Sequence, residues 1–423
     1  MIFHRTPMSD FKSLDGLSIR DHYEEYRSAI EFMTGSRQKD RILAALQKNG
    51  DNSTEMLSLL HLYCQKLDVD DWELFMSIID QIKNITDDES CWVVKIVFLA
   101  LETLPRLSAR LKTKICAVLK GRKNVENHFI LLLSGADNVE TCLEVFQAMG
   151  DEQASLFKCI MSEINTENSV LQKNIASFLV EIANNNAKLF LGFDFLDLMD
   201  SEMFVFRSCC IEILFSLIFI YKDEGNIEGI NEFTETILDR LLDVNHFVRA
   251  KAVQILASLV EQQAVTLKLK NKVVENVVLR IEDKAVLVRK RALNFCTMVI
   301  KNHSFAANRY LRVERVVDEE LMSEDEKAYT RDLKMFIAQM KMVISSIQDI
   351  FSCLKTEIAD IVEYMKLAVF YKLDGSLGLV RFLCENIDAK QRMLLLQAFI
   401  DLFSSLKTEE DILELLDSIT PNF

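Results

Sequence analysis

RLLDVNHFVRAKAVQILASLV, running from Arg240 to Val260, is answered forty residues later by RIEDKAVLVRKRALNFCTMVI, from Arg280 to Ile300. Arg240 aligns with Arg280, Asp243 with Asp283, Val248 with Val288, Arg249 with Arg289 and Ala252 with Ala292. Within each copy, apolar residues recur at helical spacing. Val248, Ala252, Ile255, Leu256 and Leu259 make one stripe, and Val288, Ala292, Phe295, Cys296 and Val299 make its counterpart. A stripe that wide buries against a partner helix and against the next repeat. The small Ala252 and Ala292 let neighbouring helices approach closely.

A period near 40 with two helices per unit predicts an all-α fold, a HEAT-repeat α-solenoid in which antiparallel helix pairs wind into a superhelix. The punctuation agrees: 423 residues contain 11 Gly and 3 Pro, so little interrupts helices. Working outward, NSVLQKNIASFLVEIA (168–183) reads as a packing helix and AKLFLGFDFLDLMD (187–200) as its partner helix. MDSEMFVFRSCCIEILFSLI (199–218) resembles the two copies, although Asp200 and Arg207 stand one residue further apart than Asp243 and Arg249. Four segments are expected: an irregular helical region over 1–165, the central repeats over 166–310, a long amphipathic connecting helix within 311–356 (its apolar run at 329–354), and C-terminal hairpins over 357–423. Expected helices in the first segment are 23–33, 40–48, 54–67, 71–82, 91–104, 107–119, 125–133, 139–149 and 151–164. Those in the last are 357–371, 377–386, 391–406 and 411–419.

The repeated polar residues have scaffold roles on this reading. Asp243 and Asp283, with Asp200 upstream, sit at turns where a carboxylate accepts from free N–H groups at a helix start. Arg249, Arg289 and Arg207 sit one turn in, within reach of a carboxylate of the adjacent repeat. These six form an expected inter-repeat ladder. The cations that such a ladder leaves unexplained are the functional candidates. Lys268, Lys270 and Lys272 cluster at one helix start and Lys290 and Arg291 at the next, with Lys251 nearby; positive charge there opposes the helix dipole. The formal charge of the chain is −15, yet residues 248–315 hold fourteen bases against five acids, so this window is +9 and the remainder −24. That reversal suggests a ridge facing phosphates, with double-stranded DNA as the candidate partner.

Catalytic and cofactor signatures are missing. The sequence has no G-x-x-x-x-G-K-[ST], G-x-G-x-x-G or G-x-S-x-G, and its six histidines have no partner at metal-ligand spacing, so no cofactor, no metal and no enzyme activity are expected. Ten cysteines without a C-x-x-C pair read as reduced core residues. The start, MIFHRTPMSD, lacks a charged stretch followed by an apolar one, and no uncharged apolar run reaches the ~18 residues of a membrane span. The densest, 211–221, is short and contains Glu212. An intracellular protein without membrane or small-molecule partners is expected.

The segment from Arg240 to Ile300 closely resembles the central HEAT repeats of the D-type non-SMC regulatory subunits of condensin, the condensin complex subunit 1 family. Leu241–Arg249 matches the family's "LLDVN-x-[YF]-VR", and Arg280–Ala292 its "RL-x-DK-x-x-x-VRK-x-A". FLVEIA (178–183), Asp200–Arg207, the 329–354 helix and LGLVRFLCENI (377–387) fit neighbouring family elements, so the likeness covers about 168–403. Family members usually continue through more repeats, so the chain is expected to be a shortened member or a piece of one. The resemblance implies a non-catalytic subunit in mitotic chromosome condensation, located in the nucleus and on chromosomes with a cytoplasmic pool. It implies a grip on the kleisin subunit, contact with the SMC ATPase subunits, and basic surface offered to double-stranded DNA in chromatin. The alternatives are the D-type subunit of the second condensin complex, or a protein-only HEAT scaffold such as a nuclear transport carrier or phosphatase scaffold.

Overall fold

The computed structural model describes residues 22–31, 55, 58–59, 62–63, 117, 124–135, 139–150, 153–302, 323–406 and 408–419. Every regular element among them is helical. The expected helices at 40–48, 71–82 and 91–104 lie outside the described residues, as does nearly all of those at 54–67 and 107–119. The chain divides into two compact units, 1–182 and 183–423.

In the first unit α1 is Tyr23–Glu31, α2 Asn124–Leu133, α3 Val139–Met149 and α4 Gln153–Ser162. Helix α5, Ser169–Asn186, begins here and runs to the division between the units. Asn168 caps it, its Oδ1 accepting from the N–H groups of Val170 and Leu171 at 3.0 and 3.2 Å. One turn on, Asn174 Nδ2 donates to the free carbonyls of Leu133 and Gly135 at the end of α2, at 2.7 and 2.9 Å. Phe178 sits edge-on to both Phe129 and Phe146, each at 5.6 Å, and all three are buried.

The second unit is a two-layer stack. One layer comprises α6 (Phe204–Glu224), α8 (His246–Glu261), α10 (Val286–Lys301), α12 (Ile358–Phe370) and α14 (Arg392–Ser405), packed side by side in that order. The other comprises α7 (Ile227–Asp239), α9 (Leu267–Val278), α11 (Glu324–Ile350), α13 (Ser376–Asn386) and α15 (Glu409–Ile419). Each second-layer helix turns through a short 3₁₀ segment into the following first-layer helix: 240–242, 279–282, 351–353 and 389–391. That unit, repeated, is a HEAT-type α-solenoid.

The apolar stripes do what their spacing predicts. Val248, Ala252, Ile255, Leu256 and Leu259 are all buried, and so are Val288, Ala292, Phe295, Cys296 and Val299. In α11 the buried face is Phe336, Ile337, Met340, Val343, Ile344 and Ile347, while Leu333 and Ile350 are only half-buried. At the far side of that face Tyr364 reaches from α12 to donate to the Met340 carbonyl at 2.8 Å.

Two expectations need correction. The stretch 187–200 is not an α-helix but two 3₁₀ segments, Ala187–Gly192 and Leu196–Asp200, with Phe193 extended between them. Phe190 and Phe195 lie edge-on at 5.7 Å across that break, both buried, so packing of the two rings replaces a continuous helix. Helix α6 is also long and apolar enough to cross a membrane, a length the sequence reading withheld on account of Glu212. Its apolar residues face the 187–200 segments, α7 and α8; Arg207 is buried and Glu212 is paired with Lys251 at 2.9 Å. It is a core helix of the stack.

Candidate functional site

Arginine forks bind the first layer together. Arg207 in α6 presents Nε and Nη2 to the two carboxylate oxygens of Asp243 at 2.8 and 2.9 Å. One repeat later Arg249 in α8 does the same to Asp283 at 2.8 and 2.7 Å. Bidentate pairing of this kind fixes angle as well as distance. The remaining guanidinium nitrogen of each turns inward: Arg207 Nη1 donates to the Ser201 and Glu202 carbonyls, Arg249 Nη1 to those of Asp243 and Val244. Arg289 repeats the inward bonds to Asp283 and Lys284, and its Nε and Nη2 meet Glu357 Oε1 at 2.8 and 2.6 Å. Each arginine therefore ties its own turn to the following one.

The aspartates serve twice. Asp243 Oδ1 also accepts from Asn245 N–H at 2.8 Å, and Asp283 Oδ1 from Ala285 N–H at 2.9 Å. Burial pushes each carboxyl up, but the hydrogen bond from its arginine and the one from the backbone outweigh it, so both sit below the usual carboxylate range. Asp200 does not join them. Counting back from Arg207 as Asp243 stands from Arg249, the matching residue is Ser201, whose Oγ accepts from Met203 N–H at 3.2 Å. Asp200 is exposed one residue earlier, so the extra residue noted in the sequence shifts it off the ladder.

A second row escaped the sequence reading, although the alignment contained its residues. Arg240 Nη1 donates to the Met199 carbonyl at 3.2 Å and Arg280 Nη1 to the Leu241 carbonyl at 3.3 Å, each across to the preceding repeat. Glu357 was also missed, because it stands outside the forty-residue register.

The six basic candidates divide between the two layers. Lys268, Lys270 and Lys272 start α9 in the second layer, while Lys251, Lys290 and Arg291 lie early in first-layer helices. Two of the cations are compensated: Lys272 Nζ is 2.7 Å from Glu235 and Lys251 Nζ 2.9 Å from Glu212. Lys270 is half-buried, and burial lowers the affinity of its amine for a proton. Lys290 lies near Asp360, whose carboxyl burial pushes up and Lys290 draws back. Lys268 and Arg291 are exposed. The register position that holds Glu212 in α6 is Gln254 in α8, so Arg291 has no equivalent acid opposite it. The six thus fall into a second-layer group, Lys268, Lys270 and Lys272, and a first-layer group, Lys251, Lys290 and Arg291.

Among the described residues no group of three or more His, Cys, Asp or Glu side chains is placed to hold a metal. The buried thiols of Cys142 and Cys210 are pushed up to about 12 by burial, and those of Cys209 and Cys296 are also raised, so they behave as core atoms.

The arrangement is a stack of repeats joined by side-chain rungs. The family model "Sister chromatid cohesion protein PDS5 protein" matches residues 195–301, which hold Arg207, Asp243, Arg249, Asp283 and Arg289 but not Glu357. The chain is 29% identical over 146 residues to the Condensin-1 complex subunit CAP-D2 of Arabidopsis thaliana, a match covering 31% of this chain and 10% of that protein. It is likewise 29% identical over 141 residues to the Condensin complex subunit 1 of Mus musculus, covering 32% and 10%. Over this third of its length the chain is similar to condensin subunit 1. The matched stretch is about a tenth of the length of these relatives. Among solved structures, the chain superposes on Kap121p bound to RanGTP with a TM-score of 0.50 at 12% identity, over 94% of this chain and 42% of that one, which speaks to fold alone.

Proposed function

We propose that this chain is a non-catalytic scaffold subunit of a condensin-type complex, acting in mitotic chromosome condensation in the nucleus. The observation that carries the reading is the ladder. A row of arginine–carboxylate rungs that ties each repeat to the next serves to hold partners in register, and the Arg240–Ile300 copies within it are the segment that resembles the condensin subunit 1 family. On this reading the partners are a kleisin and the SMC ATPase subunits, chemistry is left to the ATPases, and the central repeats over 166–310 form the gripping core. Double-stranded DNA is held through the two basic groups, with Lys268, Lys272 and Arg291 as the exposed contacts and Lys251, Lys270 and Lys290 behind them.

Co-expression with a condensin kleisin and the SMC head domains tests the reading, with crosslinking to map contacts. Recovery of a stable complex is expected. Recovery instead of a Ran-type GTPase or a phosphatase catalytic subunit would move the assignment to a protein-only scaffold. For DNA, reversal of Lys268 and Arg291 to glutamate should weaken duplex binding and flatten its salt dependence; unchanged affinity at low salt would remove DNA from the proposal.

A further inference from the structure

Helices α8, α10 and α12 each lie between two first-layer neighbours, whereas α14 packs on α12 and α15 on α13 with no described helix beyond them. The side that α14 and α15 turn outward is apolar. On α14, Met393 is 70% exposed, Leu396 52% and Ile400 61%, and the half-buried Phe403 follows. Steps of three, four and three residues put all four on one side of the helix. The opposite side faces the preceding repeat: Ala398 is buried there, and Asp401 reaches Lys366 of α12 at 3.1 Å. On α15, Leu413 and Leu416 form a second row, 58% and 39% exposed. Across that helix the buried Leu415 and Ser418, with Asp411 paired to Lys372, again face the preceding repeat. Both rows therefore point away from that repeat, toward the place a further helix would occupy. Single exposed apolar residues are ordinary. Two rows on successive helices are a surface of the kind an internal repeat buries and a capping repeat makes polar.

Charge says what kind of occupant suits this face. From Met393 to Ile419 the chain holds six acids, Asp401, Glu409, Glu410, Asp411, Glu414 and Asp417, against one base, Lys407. Asp401 and Asp411 answer bases of the preceding repeat, while Glu409, Glu410 and Asp417 are exposed along α15. Elsewhere in the stack, neighbouring helices of a layer meet through opposite charges. Glu212 of α6 meets Lys251 of α8 at 2.9 Å, and Glu235 of α7 meets Lys272 of α9 at 2.7 Å. A helix laid against α15 in the same way brings lysines or arginines. A second copy of this face would bring six acids for one base, a poor electrostatic match.

We infer that the outward face of α14 and α15 docks an amphipathic helix of a partner protein, apolar along one stripe and basic along its flank. The stripe lies on the rows of Ile400 and Leu413, and the basic flank meets Glu409, Glu410 and Asp417. Recognition is of the helix-on-apolar-surface kind, with charge fixing which flank goes where. The inference holds whichever complex the chain joins, because it rests on α14 and α15 and not on the arginine ladder.

The test uses the full chain and a synthetic peptide. A fluorescein-labelled amphipathic helix of about 20 residues, long enough to hold its fold, carries a leucine stripe and flanking lysines and is titrated by anisotropy. A twin with glutamate in place of every lysine is titrated beside it. The lysine peptide is expected to bind, and the glutamate twin about tenfold or more weaker. The variant Leu396→Glu/Ile400→Glu is expected to lose binding while keeping its far-ultraviolet circular dichroism, because both side chains face solvent. It adds negative charge, so attraction between a cationic peptide and an acidic chain alone would strengthen its binding. Glu409→Gln/Glu410→Gln/Asp417→Asn is expected to weaken the lysine peptide and narrow its advantage over the twin. Absence of binding, equal binding by the twin, or undiminished binding by Leu396→Glu/Ile400→Glu would overturn the inference. Sedimentation velocity covers the other occupant: a dimer of the parent chain that dissociates in Leu396→Glu/Ile400→Glu would assign the face to a second copy instead. No condensin subunit enters these measurements, so their failure is separable from failure of the co-expression test.

Discussion

Arg289 closes on Glu357, a carboxylate 68 positions away in the chain, and the pair is buried to 8% and 0% side-chain exposure. The two preceding rungs span 36 and 34 positions and use aspartates. Glu357 is itself held by its neighbour, accepting from Thr356 N–H at 3.0 Å and from its hydroxyl at 2.8 Å. The longer glutamate and the longer chain separation deliver a carboxylate to the place that Asp283 and Asp243 occupy one and two units earlier.

Breaking a rung should cost far more than a surface ion pair. Arg249→Leu leaves Asp283 charged at 4% side-chain exposure and frees two carbonyls, so a loss of about 3–5 kcal/mol is expected. Arg249→Lys keeps the charge but not the fork and should fall between the two. Urea titrations of Arg249→Leu, Asp283→Asn and the double variant measure the coupling. A loss below about 1 kcal/mol in Arg249→Leu would mean the rung is no stronger than an exposed pair.

The ladder also sets a direction for acid sensitivity. Asp243 and Asp283 have folded values below the unfolded aspartate value of about 3.9. Their folded forms bind protons less readily, so their stabilising effect is fully present above that value and fades as pH falls through the lower, folded one. Melting temperature should drop as pH is lowered from about 5. Asp243→Asn/Asp283→Asn should start lower and show a flatter profile. Parallel profiles for parent and variant would contradict the assignment.

Backbone conformation supplies a stabilising change. Gln263 follows the end of α8 at φ +52°, with Ala264 N–H reaching back to the Leu259 carbonyl at 2.9 Å. The same closure after α6 uses Gly225 at φ +70°. Gln263→Gly relieves left-handed strain of about 1–2 kcal/mol per residue, partly offset by chain entropy, for a net gain of about 0.5–1 kcal/mol. Gly225→Ala should lose a similar amount. Denaturant midpoints report both.

Gly229 is a case where helix propensity misleads. A Cβ there would stand 2.5 Å from Tyr221 Cδ2 and Cε2, and that ring stacks on Phe233 with centroids 5.2 Å apart. Alanine favours helix by about 1 kcal/mol over glycine, yet displacing the ring costs about 1–3 kcal/mol. Gly229→Ala should therefore be net destabilising by about 1 kcal/mol, with an altered tyrosine signal in near-ultraviolet circular dichroism. A gain in stability would show that Tyr221 swings aside freely.

The solenoid was legible because its signal is repeated: the same apolar positions and the same Arg and Asp offsets occur twice within sixty residues. Where the offset slips by one, at Asp200, the analogy carried the wrong residue, since only the backbone shows that Ser201 holds that place. Glu357 was invisible because the period fails before it. Lys272 looked uncompensated because Glu235 stands 37 positions away on a separate helix, and proximity in a stack is not proximity in sequence. The 187–200 stretch misled through composition: its leucines and phenylalanines fit a helix, and only the packing of Phe190 against Phe195 favours two short turns.

The clasp between units is made of side chains, so it is indifferent to how much chain separates them. Thirty-four, thirty-six or sixty-eight positions bring a carboxylate to the same Nε and Nη2 edge of an arginine, provided it arrives at the right spot. Extra sequence can accordingly be threaded between one rung and its successor while the stacking geometry persists. In an array of this kind, new surface is most readily acquired by lengthening a connection, with the spine left untouched.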